Sequence, residues 1–360
     1  MSDYCDTIIK LYENFTATTS SILASQDDWT YAQCIPDIRA ACEPLIEEIG
    51  KEYPELESLS DFFISDLTDV FKDNVMIAQY EESVVVVAEI KAKRWWINGI
   101  TSSGVGNIVI TGRALKGYSH ITVVNMKGEI QLQNKLKNDR GIFNVYRRCC
   151  LLSEFKVITV GKSDNIGIYD VRDGAYSKKN IRDVITRWPS DQYVSCVTTD
   201  PVKNHIIVGT NSRDVYIFTD QLIYSHKITL PDVIDGAFDI TVHRGNLLVC
   251  CYNSGKAYAV TMEESESKLM YTFTKPDLEG CDWSSYSVCT DKNDFIYMLW
   301  SSYEERCMLV QYSQDGRQLL KRKVPDDAHC LATLEKDGTE KLLLATSASR
   351  MLYTYGLVVT

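Results

Sequence analysis

From about residue 83 onward, the apolar positions fall in short runs separated by Gly, Asn, Asp and Ser. The most apolar run of each unit reads "NIVITG" (107–112), "KVITVG" (156–161), "HIIVGT" (205–210), "NLLVCC" (246–251), "FIYMLW" (295–300) and "KLLLAT" (341–346). Measured from Ile108, successive runs are 49, 49, 41, 49 and 46 residues apart. Each is followed by a short polar turn and a second strand-like segment, such as "NIGIYDVRDGAY" or "DVYIFTDQLIY", and preceded by a weaker one, such as "YVSCVTTD" or "AFDITVHR". The two-residue period excludes a solenoid of helical hairpins. Six units of this length, each with three or four short strands, predict a mainly β chain folded as a six-bladed β-propeller.

The front of the chain has a different period. In residues 1–76, Ile8, Leu11, Tyr12 and Phe15 keep helical spacing, and so do Leu59, Phe62, Phe63, Leu67, Val70 and Phe71. This predicts several short amphipathic helices. The charge divides at the same place. Residues 1–74 hold 16 acids and 4 bases, a balance of −12 within a chain total of −11. The rest holds 33 acids (49 − 16) and 34 bases (38 − 4), a balance of +1. The acidity therefore belongs to the helical region, a small bundle or adaptor, and to no other part.

"SVVVVAEIK" sits between the two regions. Counting strands, the last unit ends at Thr360 one strand short, which would leave an exposed sheet edge. The valine run predicts the missing strand, with residues 83–91 pairing with 351–359 and closing a propeller over 83–360.

Twelve cysteines contain no C-x-x-C spacing, and the five histidines are far apart, so no paired zinc ligands are available. No cofactor and no metal are expected. The chain shows no signal-peptide pattern and no apolar run long enough for a membrane span, so a cytoplasmic protein is expected.

The turns "TDPVKN", "TDKND", "VRDG" and "SQDG", with the strand cadence of 83–360, resemble the NHL-repeat propellers of some tripartite-motif proteins. That resemblance implies a six-bladed interaction domain, in some members an RNA-binding one. The RING and B-box of those proteins are absent here, which leaves any ubiquitin-ligase activity without its module.

In a propeller, the second-to-third-strand turns and the crossings between blades share one face. Each of the six turns carries a base: Arg113 and Lys116, Lys162, Arg213, Lys256, Arg306 and Arg350. The crossings add Arg94, Arg187, Lys321 and Arg322, with Trp95, Trp96 and Trp188 as candidate anchors. An electropositive face of this kind suits an anionic partner. Three fit: an acidic protein, which is favoured, RNA, for which a propeller charge of +1 is low, and the chain's own residues 1–74 docked intramolecularly as a competitor for the partner. The expected function is a non-enzymatic protein-interaction module or scaffold.

The competing expectation is a propeller hydrolase or lactonase with a metal in its channel. The inward candidates are Asn98, Asn144, Ser195, Asp239, Ser285 and His329, of which only Asp239 is a carboxylate, whereas a hard cation draws on several. "SSGVGN" (102–107) contains a G-x-G but opens no helix, so it is not a phosphate loop.

Overall fold

A computed structural model describes residues 82–85, 95–114, 119–125, 127–136, 146–161, 164–251, 254–263, 267–276, 282–302, 306–336, 339–347 and 352–357. The expected helical region at 1–76 lies outside the described residues.

The described strands form six four-stranded antiparallel sheets. Strand β1 (Glu82–Val85) stands apart from its sheet in sequence. Blade one is β2 (Trp95–Ser102), β3 (Ile108–Ala114), β4 (Ser119–Val124) and β5 (Ile130–Leu136). Blade two is β6 (Tyr146–Ser153), β7 (Lys156–Gly161), β8 (Asn165–Asp170) and β9 (Tyr176–Asn180). Blade three is β10 (Val194–Asp200), β11 (His205–Thr210), β12 (Asp214–Thr219) and β13 (Tyr224–Thr229). Blade four is β14 (Asp239–His243), β15 (Asn246–Cys251), β16 (Lys256–Thr261) and β17 (Leu269–Thr272). Blade five is β18 (Trp283–Thr290), β19 (Ile296–Ser302), β20 (Cys307–Tyr312) and β21 (Gln318–Val324). Blade six is β22 (Ala328–Lys336), β23 (Thr339–Thr346) and β24 (Leu352–Leu357), with β1 as its outermost strand.

The first strands of the blades neighbour one another in a closed cycle, β2–β6–β10–β14–β18–β22–β2, and so line a central channel. The chain is a mainly β six-bladed propeller. Its apolar runs are the second strands, and they are buried almost end to end, as at β7, β11 and β15. Alternation is lost there because both faces of each blade pack on neighbouring blades. Outer strands such as β9 and β13 are instead half-buried or exposed over most of their length.

Apolar clusters weld consecutive blades: Val109, Ile121 and Tyr169 between one and two, Val160, Ile206 and Phe218 between two and three. Ile217, Leu247 and Tyr258 join three to four, and Leu248, Trp283 and Met298 join four to five. The ring closes in the same manner, with Ile97, Ile108 and Ile110 of blade one packed on Leu334, Leu343 and Leu352 of blade six. Backbone pairing adds to it: Glu82, Ser83, Val84 and Val85 stand opposite Tyr355, Thr354, Tyr353 and Leu352. Residues 86–91, 351, 358 and 359 of the expected closing pair lie outside the described residues.

The "TD" turns have a local cause. Asp200 Oδ1 accepts the amides of Val202 (3.0 Å) and Lys203 (3.2 Å), and Asp291 Oδ1 those of Asn293 and Phe295 (2.9 Å each). A side-chain acceptor at the turn's first position satisfies amides that the sheet cannot.

Candidate functional site

The channel wall is set by an irregularity repeated around the ring. The first strand of five blades slips register against the second, between Ile97 and Gly99, Tyr146 and Arg148, Val194 and Cys196, Ser285 and Ser287, and Ala328 and Cys330. In blade four, Phe238 donates its amide to the Cys250 carbonyl (2.8 Å) while Asp239 pairs with the same Cys250. Two residues thus face one, as in a β-bulge. The extra residues are Asn98, Arg147, Ser195, Phe238, Tyr286 and His329. Three of them meet edge to face: Phe238 with Tyr286 (4.9 Å between centroids) and Tyr286 with His329 (5.1 Å). Blades four to six therefore contribute an aromatic collar.

The residues just after the bulges are Gly99, Arg148, Cys196, Asp239, Ser287 and Cys330. Two of the six carry opposite charges, and they find each other. Arg148 reaches from blade two with Nε 3.5 Å from Asp239 Oδ1, and both side chains are under 10% exposed. Its Nη2 donates to the Tyr286 carbonyl at 2.6 Å, and its Cζ lies 5.3 Å from the Phe238 ring centre. Asp239 Oδ2 accepts from the Ser287 hydroxyl (2.7 Å) and the Val288 amide (3.1 Å), and Oδ1 from the Ile240 amide (3.1 Å). Burial pushes the Asp239 carboxyl up, and Arg148, the Ser287 hydroxyl and the two amides pull against that rise. Burial likewise raises the thiols of the inner strands, Cys149 to about 12 and Cys150, Cys250 and Cys289 well above their ordinary range. They behave as small hydrophobes, held as thiols.

The other channel candidates divide. Ser195 donates to the Ala237 carbonyl of the next blade, and Asn98 and His329 occupy bulge positions half-buried. Ser285 sits one place before its bulge and works between blades, donating to the Lys256 carbonyl (2.6 Å) and accepting the Cys251 amide (3.2 Å). Asn144 lies outside the described residues. Among the described residues, no three or more His, Cys, Asp or Glu side chains converge in a manner that could hold a metal ion.

The loop face carries both signs. Arg213 donates to the Leu230 carbonyl (2.8 Å) and is paired with Asp232. Arg187, Lys256 and Arg306 are exposed, and so are Asp183, Asp191, Asp232, Asp235 and Asp326 on the crossings. Trp188 is half-buried, donates to the Gln192 carbonyl (3.0 Å) and stacks on Tyr216 at 5.0 Å, so it anchors the crossing between blades two and three. Lys321 and Arg322 lie within β21, whose pairing with β20 runs to Val324; the crossing is only Pro325–Asp327. There Arg322 lies over the ring of Tyr355 in blade six, at 5.3 Å. Lys116, Lys162, Arg94 and Arg350 fall outside the described residues, as do the side chains of Arg113, Trp95 and Trp96.

Arg148, Phe238 and Tyr286 were not singled out by the sequence. Arg148 is hidden in the strand-like "YRRCCLLS", where an arginine pair inside an apolar run was the available signal.

Channel, collar and blade order define a six-bladed propeller. Solved structures place it beside WD40 propellers. It is similar to the WD40 repeats of RRP9 (TM-score 0.56, 10% identity, covering 76% of this chain and 97% of that one). It is also similar to U3-55K (TM-score 0.55, 10% identity, 76% and 98%) and to the β-propeller domain of Myceliophteria thermophila Cps50 (Swd1) (TM-score 0.50, 9% identity, 73% and 84%). At these identities the likeness is one of fold. No family model and no curated protein matches the sequence. No helix among the described residues is long and apolar enough to cross a membrane.

Proposed function

We propose that the chain is a non-enzymatic protein-interaction scaffold that docks partners on the face formed by the second-to-third-strand turns and the blade crossings. The observation that carries this reading is the state of Asp239. The carboxylate that a channel hydrolase would use is consumed by Arg148, Ser287 and two amides, so the channel centre is built as structure. The loop face is what remains to meet a partner. Its exposed bases Arg187, Lys256 and Arg306 share the face with exposed acids, which favours a protein with discrete acidic contacts over a continuous polyanion such as RNA. The cadence shared with NHL-type propellers supports the same class. The acidic residues 1–74 are, in charge terms, a competitor for those bases.

The test is affinity capture from native cytosol with the full chain and with K256E/R306E. Capture of a protein that survives nuclease and is lost in the variant, with the melting temperature unchanged, is the expected result. Capture that nuclease abolishes overturns the reading in favour of RNA. Equal capture by both chains removes this face from the binding. Deleting residues 1–74 strengthens capture at low salt if that segment competes, and unchanged capture discards the competitor.

A further inference from the structure

We infer that the centre of the channel is a guanidinium receptor, which the chain fills with its own Arg148. The receptor is made entirely by blades four and five: the Asp239 carboxylate, the Tyr286 carbonyl and the face of Phe238. The ligand group comes from blade two. A planar guanidinium addresses a carboxylate and a carbonyl on different blades through two separate nitrogens while lying near an aromatic ring, a span that a single ammonium nitrogen does not match.

The receptor is held together without the ligand. Asp239 is oriented by the Ser287 hydroxyl and by the amides of Val288 and Ile240. The same Ser287 oxygen accepts the Leu331 amide of blade six at 3.1 Å. Phe238 rests against Tyr286, and Tyr286 against His329. Room for the crossing side chain is left by small residues at the equivalent places on other blades, Gly99, Cys196 and Cys330. Buried charge is costly unless it is matched, so occupancy by a guanidinium is what makes a carboxylate tolerable here. The filled site in turn fixes the spacing of blades two, four and five and the pose of the aromatic collar. This goes beyond the scaffold reading and does not depend on it.

Chemical rescue tests it. In the full chain, R148A is expected to melt roughly 6–15 °C below wild type, because it strands a buried carboxylate. Methylguanidinium chloride at millimolar concentration then raises the R148A midpoint saturably, by roughly 2–4 °C at ten times its Kd. Methylammonium chloride does not, and neither salt shifts wild type or R148A/D239N. Equal shifts from the two cations, a shift of wild type of the same size, or no shift of R148A overturns the proposal. Should R148A not accumulate folded, its refolding yield from urea is the readout: recovery with methylguanidinium alone supports the receptor, and equal recovery with either salt refutes it. R148K is a second check, since a lysine that melts with wild type shows that the fork is not required.

Discussion

The hydroxyl of Ser287 donates to Asp239 Oδ2 at 2.7 Å and accepts the Leu331 amide at 3.1 Å, so one side chain joins blades four, five and six at the channel wall. All three groups are buried. S287A removes a hydrogen bond to a charged acceptor and orphans an amide. It is expected to cost about 1–3 kcal/mol, read as a fall of roughly 2–8 °C in the melting midpoint. A midpoint within a degree of wild type would mean that water takes over both bonds.

Gly209 of β11 faces Cys196 across the ladder in blade three. A Cβ there would lie 2.5 Å from Cys196 Sγ, 3.0 Å from Ala237 Cβ and 3.4 Å from Ile240 Cδ1. G209A therefore overpacks the blade three–four interface, at about 1–3 kcal/mol. C196A, which removes the nearest atom, is expected to recover much of that loss in the double variant. Additive losses in urea melts would show that the strain lies elsewhere.

His243 ends β14 buried, with Nδ1 4.0 Å from Asp294 Oδ1. Burial holds its folded pKa below the ordinary 6.5, against the opposing effect of Asp294. The unfolded chain therefore binds the proton first, and stability falls as pH drops below 6.5. Unfolding free energy measured at pH 7.5 and 5.5 is expected to be lower at the acid value, and H243Q flattens that difference. Asp291 and Glu340 work in the other direction. Burial raises both carboxyls, so their contribution favours the fold as pH falls through the window just above their ordinary values.

Closure of the ring is tested at β1, where four residues pair with β24. Since Pro supplies no ladder donor, S83P/V84P is expected to uncouple β1 and expose β24 as an edge. Hydrogen exchange of Leu352–Tyr355 amides should rise well above that of β11, and the unfolding transition should broaden. Unchanged protection would show that the apolar contact between blades six and one closes the ring unaided.

The blades were legible because a buried second strand needs an unbroken apolar run. Six such runs recur between Ile108 and Leu342, and the "TD" turns announce their own geometry through Asp200 and Asp291. Of the candidate channel residues, Asn98, Ser195 and His329 fall on bulges, Asp239 follows its bulge, and Ser285 precedes one. Alternation cannot resolve this, because one inserted residue reverses which face every later side chain meets.

By itself, then, the sequence determined the repeat, its strands and the division of charge between residues 1–74 and the rest, since these are local properties of adjacent residues. Only the tertiary structure decided that Arg148 and Asp239, about two blades apart along the chain, share one site. It also decided that Arg213 is spent on Asp232, that Trp188 is an anchor within its own crossing, and that Phe238, Tyr286 and His329 touch. Most of these contacts join residues from separate blades and loops and are set by bulge register and ring closure, which no pattern within one repeat encodes.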